Sequence, residues 1–257
     1  MSIQICFLGS GSEGNCLLLR AGKTSILIDC GLGLKDSETR LLRKGVAAEE
    51  ITGILCTHEH SDHSSGIAKL ARRFNIPVWC TYGTWLACPD LQAAPIIHTI
   101  VDFAKFSIGE LDVEPFPVPH DAREPCQFVF YANGYKVGLV TDIGYVTPEV
   151  LRALSESHAL IIEFNHDVEM LLNSKYPEKL KNRILGPFGH LDNEASMSLL
   201  KSLKSERLEV VVAAHLSKNN NKPELVRGKL SEVLKDTSVR YALADQDLGT
   251  DWISIGL

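Results

Sequence analysis

Apolar residues occur along this chain in short runs that end in glycine, asparagine or polar clusters, a pattern typical of strands joined by turns. The predicted strands are IQICFLGS, CLLLRA, TSILIDCG, ITGILCTH, IPVWC, LDVEPFPVPH, CQFVFYANGYKVGLVTD, HALIIEF, LEVVVAAH and WISIGL. The longest of these contains Asn133-Gly134, a dipeptide that favours a two-residue hairpin turn. It therefore counts as two strands joined by a hairpin.

Four segments show helical patterns: DSETRLLRKG, SSGIAKLARRF, NEASMSLLKSLKS and KPELVRGKLSEVLKD. The first begins with a capping Asp or Ser and ends at a glycine, the usual start and stop signals of a helix. Because strands and helices are mixed along the chain, we predict an α/β fold with two sheets and helices outside them.

Composition and charge narrow the possible functions. The 257 residues fit one large α/β domain or two small ones, and 45% hydrophobic residues provide for a full core. A formal net charge of -6 argues against a broad basic surface that coats nucleic acid. A local cationic site remains compatible with that charge.

The seven cysteines are an odd number without a C-x-x-C pair, and all lie in the first half of the chain. This usage predicts buried free thiols rather than disulfides or a zinc ribbon. The opening segment MSIQICFLGSGSEG lacks the charged leader of a signal peptide, and no apolar run approaches the ~18 residues of a membrane span. We therefore expect a cytoplasmic protein that does not enter a membrane.

Residues that can bind metals end several predicted strands. His58, His120, Asp142 and His215 each follow an apolar, strand-like run. Loops at strand ends are where α/β proteins gather polar side chains on a rigid base. We therefore expect these four residues to converge in the folded chain.

The segment CTHEHSDH, residues 56 to 63, concentrates further candidates in an H-x-H-x-D-H spacing. A loop leaving a strand can direct His58 and His60 at one ion, and Asp62 and His63 at a second ion nearby. Imidazole with carboxylate suits Zn²⁺, and also Mn²⁺ or Fe.

Together with Asp29, His120, Asp142 and His215 in this order, the motif resembles the metallo-β-lactamase fold. The segments LGSGSEGNC, THEHSDH, PHDAREP, VTDIGYV, EFNHD, GHLDNE and AHLSKNNN resemble the YycJ/WalJ-like exonucleases within that fold. The resemblance covers nearly the whole chain. It implies a four-layer αβ/βα sandwich of two mixed β-sheets with outer helices, formed as a single domain by residues 1–257.

The resemblance also implies a site for two divalent metal ions. The implied ligands are His58, His60 and His120 for the first ion, Asp62, His63 and His215 for the second, and Asp142 as a bridge. Two ions ~3.5–4 Å apart can clamp a phosphodiester and lower the pKa of a bridging water, which would attack in line. Asp62 would also orient that hydroxide, and Asp29 would accept a hydrogen bond from a ligand imidazole.

Two other histidines are candidates for the chemistry. His190 precedes a predicted helix start, where free N–H groups favour phosphate, so it could bind the scissile phosphate or protonate the leaving oxygen. A role in supporting the cap is the alternative. His166 in EFNHD could contact nucleic acid or brace a ligand. His98 and His158 lack ligand spacing and are interpreted as ordinary histidines.

Basic residues cluster near the predicted site. Lys175, Lys179, Lys181 and Arg183 lie between Glu163 and His190, and we assign the last three to substrate binding. The second basic set after His215 contains Lys218, Lys222, Arg227 and Lys229. Each set is either a solvated face or part of a groove for a polyanion.

These features predict a metal-dependent phosphodiesterase that acts on DNA, a 5′-to-3′ exonuclease as the resemblance implies. The rival is a small-molecule hydrolase such as a glyoxalase II-like thioesterase or a lactonase, which shares H-x-H-x-D-H. The N-H-D and G-H-L-D-N elements favour the nuclease.

Other classes are disfavoured. The lack of a signal peptide argues against a secreted β-lactamase. A di-iron redox protein is disfavoured because resemblance to that class would require Glu at position 60, where this chain has His60. The 72 residues between Asp142 and His215 leave no room for a β-CASP insertion. A scaffold without turnover would not need all seven metal-binding residues.

Overall fold

A computed structural model describes residues 2–256 of the chain. Its strands are β1 (Ile3–Gly9), β2 (Cys16–Ala21), β3 (Thr24–Ile28), β4 (Gly53–Leu55), β5 (Val78–Thr81), β6 (Ile97–Ile100), β7 (Phe106–Ile108), β8 (Leu111–Pro117), β9 (Cys126–Ala132), β10 (Tyr135–Val140), β11 (Ala159–Glu163), β12 (Val210–Ala214), β13 (Arg240–Leu243) and β14 (Ile253–Ile255). Every predicted strand segment contains an observed strand.

The α-helices are α1 (Leu34–Arg43), α2 (Ser61–Ser64), α3 (Ile67–Phe74), α4 (Tyr82–Ala87), α5 (Pro148–Leu154), α6 (Val168–Leu172), α7 (Glu178–Ile184), α8 (Asn193–Leu203) and α9 (Pro223–Val233). Short 3-10 helices cover Ala48–Glu50 and Leu91–Ala93. The four predicted helices correspond to α1, α3, α8 and α9. Within the part of the chain described here, no helix is both long and apolar enough to cross a bilayer.

The strands form two mixed sheets of seven strands each. The first sheet has the order β14-β1-β2-β3-β4-β5-β6, and the second has the order β13-β12-β11-β10-β9-β8-β7. Strands β3 to β6 run parallel in the first sheet, and β10 to β13 run parallel in the second. The predicted hairpin is confirmed, because Ala132 pairs with Tyr135 across Asn133 and Gly134, both at positive φ.

Three apolar layers hold the sheets and helices together. One layer fills the space between the sheets and includes Leu19, Phe128 and Ile161. A second lies between the first sheet and helices α1 and α3, and a third between the second sheet and helices α5, α8 and α9. The predicted four-layer sandwich of two mixed sheets with outer helices is therefore confirmed.

The sequence pattern missed the strands β6, β7 and β13 and the helices α2, α4, α5, α6 and α7. All three strands are short, and most of their side chains are partly exposed, so alternation is weak. The missed helices have four to seven residues, too few for a clear helical period.

Candidate metal centre

The metal-binding candidates meet at the edge where the parallel strands of both sheets end. Asp29 follows β3, Asp142 follows β10 and His215 follows β12. All three have left-handed backbone conformations, with φ of 59°, 53° and 58°. Such angles are uncommon for residues with a side chain and concentrate at functional sites.

One set of candidates consists of three imidazoles. Nδ1 of His60 lies 3.0 Å from Nε2 of His58 and 3.3 Å from Nε2 of His120. Nitrogen ligands of tetrahedral Zn²⁺ stand about 2.0–2.1 Å from the ion and therefore about 3.3 Å apart. The three nitrogens thus have the spacing of ligands of one ion.

A second set combines imidazole with carboxylate. Oδ2 of Asp62 lies 3.4 Å from Nε2 of His63 and 3.8 Å from Nε2 of His215. These three atoms also lie close enough to bind a single ion. His63 and His215 are buried, whereas the side chain of Asp62 is 26% exposed, so this set opens to solvent on the Asp62 side.

Asp142 lies between the two sets. Its Oδ2 is 3.3 Å from Nε2 of His63, and its Oδ1 is 3.9 Å from Nε2 of His120. One carboxylate therefore faces both groups of imidazoles, as a bridging ligand must.

Buried hydrogen bonds orient these imidazoles from behind. Asp29 Oδ2 lies 2.8 Å from Nδ1 of His63. The backbone N–H and hydroxyl of Thr57 donate to Asp29 at 2.8 and 2.7 Å, and the same hydroxyl lies 2.9 Å from Nδ1 of His58. Asp29 thus positions one imidazole directly and another through Thr57, leaving their Nε2 atoms for the centre.

The glycine-rich loop after β1 supports the carboxylate side. Asn15 donates its backbone N–H to the carbonyl oxygen of Asp62 at 2.8 Å, and its Nδ2 lies 3.1 Å from Nε2 of His63. Asn15 is in turn held by Gly11 through two hydrogen bonds of 2.8 and 2.9 Å. The loop therefore fixes the H-x-H-x-D-H turn, and the exposed Ser12 at its tip lines the cleft.

Glu163, at the end of β11, joins residues from three segments. Its Oε1 lies 2.9 Å from Nδ1 of His190 and 2.8 Å from Nδ1 of His215. The carboxylate also accepts the backbone N–H groups of Asp142 and Leu191, at 3.1 and 2.9 Å. Burial raises the pKa of Glu163, but His190 and His215 outweigh burial and hold it well below its usual range. Glu163 is thus a buried anion that orients two imidazoles.

Two observations test whether this arrangement fits metal ions. Oδ2 of Asp142 and Nε2 of His215 are buried and lack a hydrogen-bond partner among the described residues. Buried polar atoms are rarely left unpaired, so an unpaired carboxylate oxygen and an unpaired imidazole nitrogen within one cluster are expected where a cation binds. The donor set of imidazoles and carboxylates also suits divalent ions such as Zn²⁺ or Mn²⁺.

The pKa shifts of His58 and His215 also indicate that this site favours a bound cation. Burial lowers the pKa of His58, and the neighbouring imidazoles lower it further, so His58 is neutral and its imidazole is available to a metal ion. Burial also opposes protonation of His215, but Asp142, Asp62 and Glu163 outweigh it and raise its pKa to about 10. The carboxylates therefore favour positive charge here, which a metal ion can supply in place of protons.

A cleft of about 340 Å³ opens onto the centre. Arg183 and Tyr176 line its outer wall, and His190 and Asn165 lie deeper. The Arg183 guanidinium contacts Asp121 through two hydrogen bonds, Nε to Oδ2 at 2.5 Å and a second nitrogen to Oδ1 at 3.1 Å. This pair places a cation at the mouth of the cleft.

The structure separates the predicted substrate-binding residues. Arg183 lines the cleft, whereas Lys179 is exposed on the same helix, α7, and does not line it. Lys181 is buried, and its ammonium donates to the carbonyl oxygen of Leu172 at 2.7 Å and to Glu178 at 3.2 Å. The expectation that Lys181 contacts substrate is therefore wrong, because its charge is used inside the protein.

His166 also requires correction as a residue that touches nucleic acid. It is 1% exposed, does not line the cleft, and has Nδ1 3.2 Å from Oδ1 of Asn165. Its backbone carbonyl accepts from the N–H of Asn193, at the start of α8. His166 therefore belongs to the support of the cleft, which is the bracing alternative.

Sequence reasoning missed Glu163, Asp121, Asn15 and Thr57. Glu163 is the last residue of β11 and lies in the EFNHD segment. Its position at a strand end, which the candidate ligands share, was the signal that could have identified it. Asp121 directly follows His120. No comparable signal marks Thr57, whose role depends on its contact with Asp29 across the sheet.

Comparison with known proteins identifies the family of this chain. The chain belongs to the metallo-beta-lactamase superfamily, whose family model matches residues 9–215. The match spans all seven predicted metal ligands.

Individual relatives match nearly the whole chain. The chain is 36% identical to the exodeoxyribonuclease YycJ of Bacillus anthracis over 92% of this chain and 90% of that protein. It is 33% identical to the exodeoxyribonuclease WalJ of Streptococcus pneumoniae over 98% of this chain and 93% of that protein. The predicted resemblance to YycJ/WalJ-like proteins is therefore confirmed.

Solved structures of lower identity share the fold. The metallo-beta-lactamase fold protein YhfI from Bacillus subtilis has a TM-score of 0.77 at 14% identity, over 99% of this chain and 100% of that chain. The short form of human tRNase Z has a TM-score of 0.66 at 19% identity, with the same coverage of both chains. Since folds of this kind host many reactions, these neighbours define the architecture alone.

Proposed function

We propose that this protein is a phosphodiesterase that requires two divalent metal ions and degrades DNA as a 5′-to-3′ exonuclease. The observation that carries the proposal is the pair of ligand sets joined by Asp142 at the floor of a cleft that Arg183 and His190 line. The similarity to two proteins named exodeoxyribonuclease supports DNA as the substrate.

The proposed ligands are His58, His60 and His120 for one ion, Asp62, His63 and His215 for the other, and Asp142 for both. Two divalent ions at such a centre polarise the phosphate oxygens and lower the pKa of the attacking water. The cluster of Asp142, Glu163, His190 and His215 could hold an ion in a different way. We assign Glu163 and His190 no ligand role, because the Glu163 carboxylate already takes part in five hydrogen bonds, one of them with Nδ1 of His190.

Asp62 positions the attacking water in this proposal. Burial raises the pKa of Asp62, but the nearby imidazoles of His215 and His63 outweigh burial and hold the pKa far below its usual value. The carboxylate therefore stays ionised and can accept a hydrogen bond from the water, which directs the oxygen lone pair at phosphorus.

His190 and Arg183 act on the phosphate from the cleft. His190 lines the cleft, and the Glu163 carboxylate 2.9 Å from its Nδ1 orients the imidazole to stabilise phosphorane charge or donate a proton to the leaving oxygen. Arg183 presents a planar guanidinium that can shift from Asp121 to a non-bridging phosphate oxygen.

We further propose that residues 1–257 act as one domain in the cytoplasm. Between Asp142 and His215 the chain forms α5, β11, α6, α7, α8 and β12, which belong to the sandwich and the cleft wall. All seven cysteines are buried free thiols, a state that a reducing compartment preserves.

A small-molecule hydrolase, such as a thioesterase or lactonase, is the second candidate. The cleft volume of about 340 Å³ falls within the ~300–1,000 Å³ of small-ligand pockets, which favours this class. Arg183 at the mouth and the relatives' names favour the nuclease.

The test is degradation of DNA labelled at its 5′ end, as single strands and as duplex, with Mn²⁺ or Zn²⁺ and with RNA for comparison. A 5′-to-3′ exonuclease releases the label at once as a small product, whereas the opposite polarity leaves it on progressively shorter strands. Asp142→Ala serves as the inactive control. Hydrolysis of a thioester or lactone without loss of label from any polynucleotide would establish the second candidate instead.

A further inference from the structure

A second cavity lies beside the cleft and is not used by the proposed chemistry. We call it the side cavity; its volume is about 230 Å³. It is formed by the turn after β12, the start of α9 and the turn after β13. Ser217 lines both cavities, so the side cavity and the cleft are neighbours.

The loop that separates the two cavities is firmly held. The backbone N–H of His215 donates to the hydroxyl of Ser10 at 2.8 Å, and that of Ser217 donates to the carbonyl oxygen of Asn165 at 2.8 Å. Ser10 lines the side cavity, and Asn165 lines the cleft. From His215 to Ser217 the chain spans at most about 7 Å. One strand of stacked DNA rises about 3.4 Å per nucleotide and an unstacked strand extends further, so this length corresponds to one or two nucleotide steps.

The lining of the side cavity combines apolar and charged residues. Leu216, Pro223 and Leu243 provide apolar surface, and the charged residues are two cations, Lys218 and Arg227, and two carboxylates, Asp245 and Asp247. This combination fits a flat ring with polar edges better than it fits a phosphate alone. Its volume lies below the ~300 Å³ of drug-sized pockets, so a single base is the appropriate size and a base pair is too large.

Two cations of the side cavity, Lys218 and Arg227, can contact the phosphate of a nucleotide. Arg227 is exposed, and within residues 2–256 it makes no ion pair. Lys218 also lines the cavity, and its only ion pair among these residues joins it to the exposed Glu13 at 3.5 Å. Lys229 on the same helix instead pairs with Glu194 and does not line the cavity. The basic set after His215 is thus divided, because Lys218 and Arg227 line the side cavity whereas Lys222 and Lys229 do not.

We propose that the side cavity is a subsite for one unpaired nucleobase, belonging to a nucleotide one or two steps from the scissile phosphate. Lys218 and Arg227 would contact the phosphate attached to that nucleotide. This inference rests on the proposed function and adds that the substrate must be single-stranded at this nucleotide. Such an enzyme either separates the two strands at a DNA end or requires an end that is already single-stranded.

The experiment removes bases from the substrate one at a time. Single-stranded DNA carrying one abasic nucleotide is compared with intact DNA, and the abasic position is moved stepwise from the cleaved bond. Specific contacts of a protein with one base change binding by about 5- to 100-fold. We expect kcat/KM to fall by that factor at one position and by no more than about 3-fold at the others.

Variants then connect this position to the side cavity. In Lys218→Ala/Arg227→Ala the abasic penalty at that position should shrink to about 3-fold or less, because the nucleotide is no longer held in place. The matched control is Lys229→Ala/Lys235→Ala, which removes the same charge from α9 and the segment after it and should retain the penalty. Arg227→Ala alone is the milder variant, and thermal unfolding of each protein verifies its folding.

Three results would overturn the proposal. A flat abasic profile with active cleavage means that no base is bound, and a penalty that survives in Lys218→Ala/Arg227→Ala places the base elsewhere. Failure to cleave any polynucleotide overturns both the subsite and the proposed function. The first two results leave the nuclease activity standing, so the two proposals can be distinguished.

Discussion

The Glu163 carboxylate lies 2.9 Å from Nδ1 of His190, although 27 positions separate the two residues. The same oxygen lies 2.8 Å from Nδ1 of His215. One buried anion thus orients the imidazole proposed to act on the phosphate and an imidazole proposed to bind metal. Loss of Glu163 should therefore affect catalysis and metal binding, whereas loss of His190 should affect catalysis alone.

We expect His190→Ala to lower kcat by about 10²–10⁴-fold with both metals retained, as for loss of a general acid. Glu163→Gln keeps the size of the side chain but removes the charge, and should cost about 10–100-fold in activity and in metal affinity. Single-turnover kinetics on DNA and metal titration measure the two effects. A p-nitrophenyl phosphodiester, whose leaving group needs little protonation, should recover part of the His190→Ala loss.

An unchanged kcat in His190→Ala would return His190 to a role in supporting the start of α8. Loss of metal in the same variant would make it a ligand.

Reconstitution with Mn²⁺ or Zn²⁺ should load two ions per chain. A ligand present at 100 times its Kd stabilises a folded protein by about 2.7 kcal/mol, so chelation should lower the melting temperature. Asp142→Ala should lose this stabilisation more completely than His190→Ala, because Asp142 faces both ligand sets. Elemental analysis and calorimetry provide the measurements. A single ion at saturation contradicts the assignment of two sites.

Arg183→Ala should raise KM for DNA by about 10- to 100-fold, the contribution of a charged hydrogen bond of about 1.5–3 kcal/mol. It should also reduce the salt dependence of binding by about one counterion. Lys179→Ala is the matched control, since it removes the same charge from an exposed position on the same helix, outside the cleft. Equal losses in both variants would show that α7 contributes only a general positive field.

Local patterns were sufficient to predict most of the fold. The segments that contain β1 to β5 and β8 to β12 are rich in apolar residues and bounded by turn residues, and the Asn133-Gly134 hairpin depends on two adjacent residues. The long helices α1, α3, α8 and α9 carry clear helical periods. Short edge strands such as β7 and β13 lack this signal, because pairing with a neighbour stabilises them more than their own side chains do.

By itself, the sequence determined which residues could bind metal, since ligand type, motif spacing and position at strand ends are all local properties. Only the tertiary structure decided what surrounds them. Glu163, Asp121 and Thr57 acquire roles through hydrogen bonds to residues far away in the chain or on another element. Lys181 and Arg183, two positions apart on one short helix, differ for the same reason. Lys181 turns inward to the carbonyl oxygen of Leu172, whereas Arg183 reaches Asp121 at the cleft. Burial and partner choice depend on packing between elements, and a linear pattern of charges does not contain them.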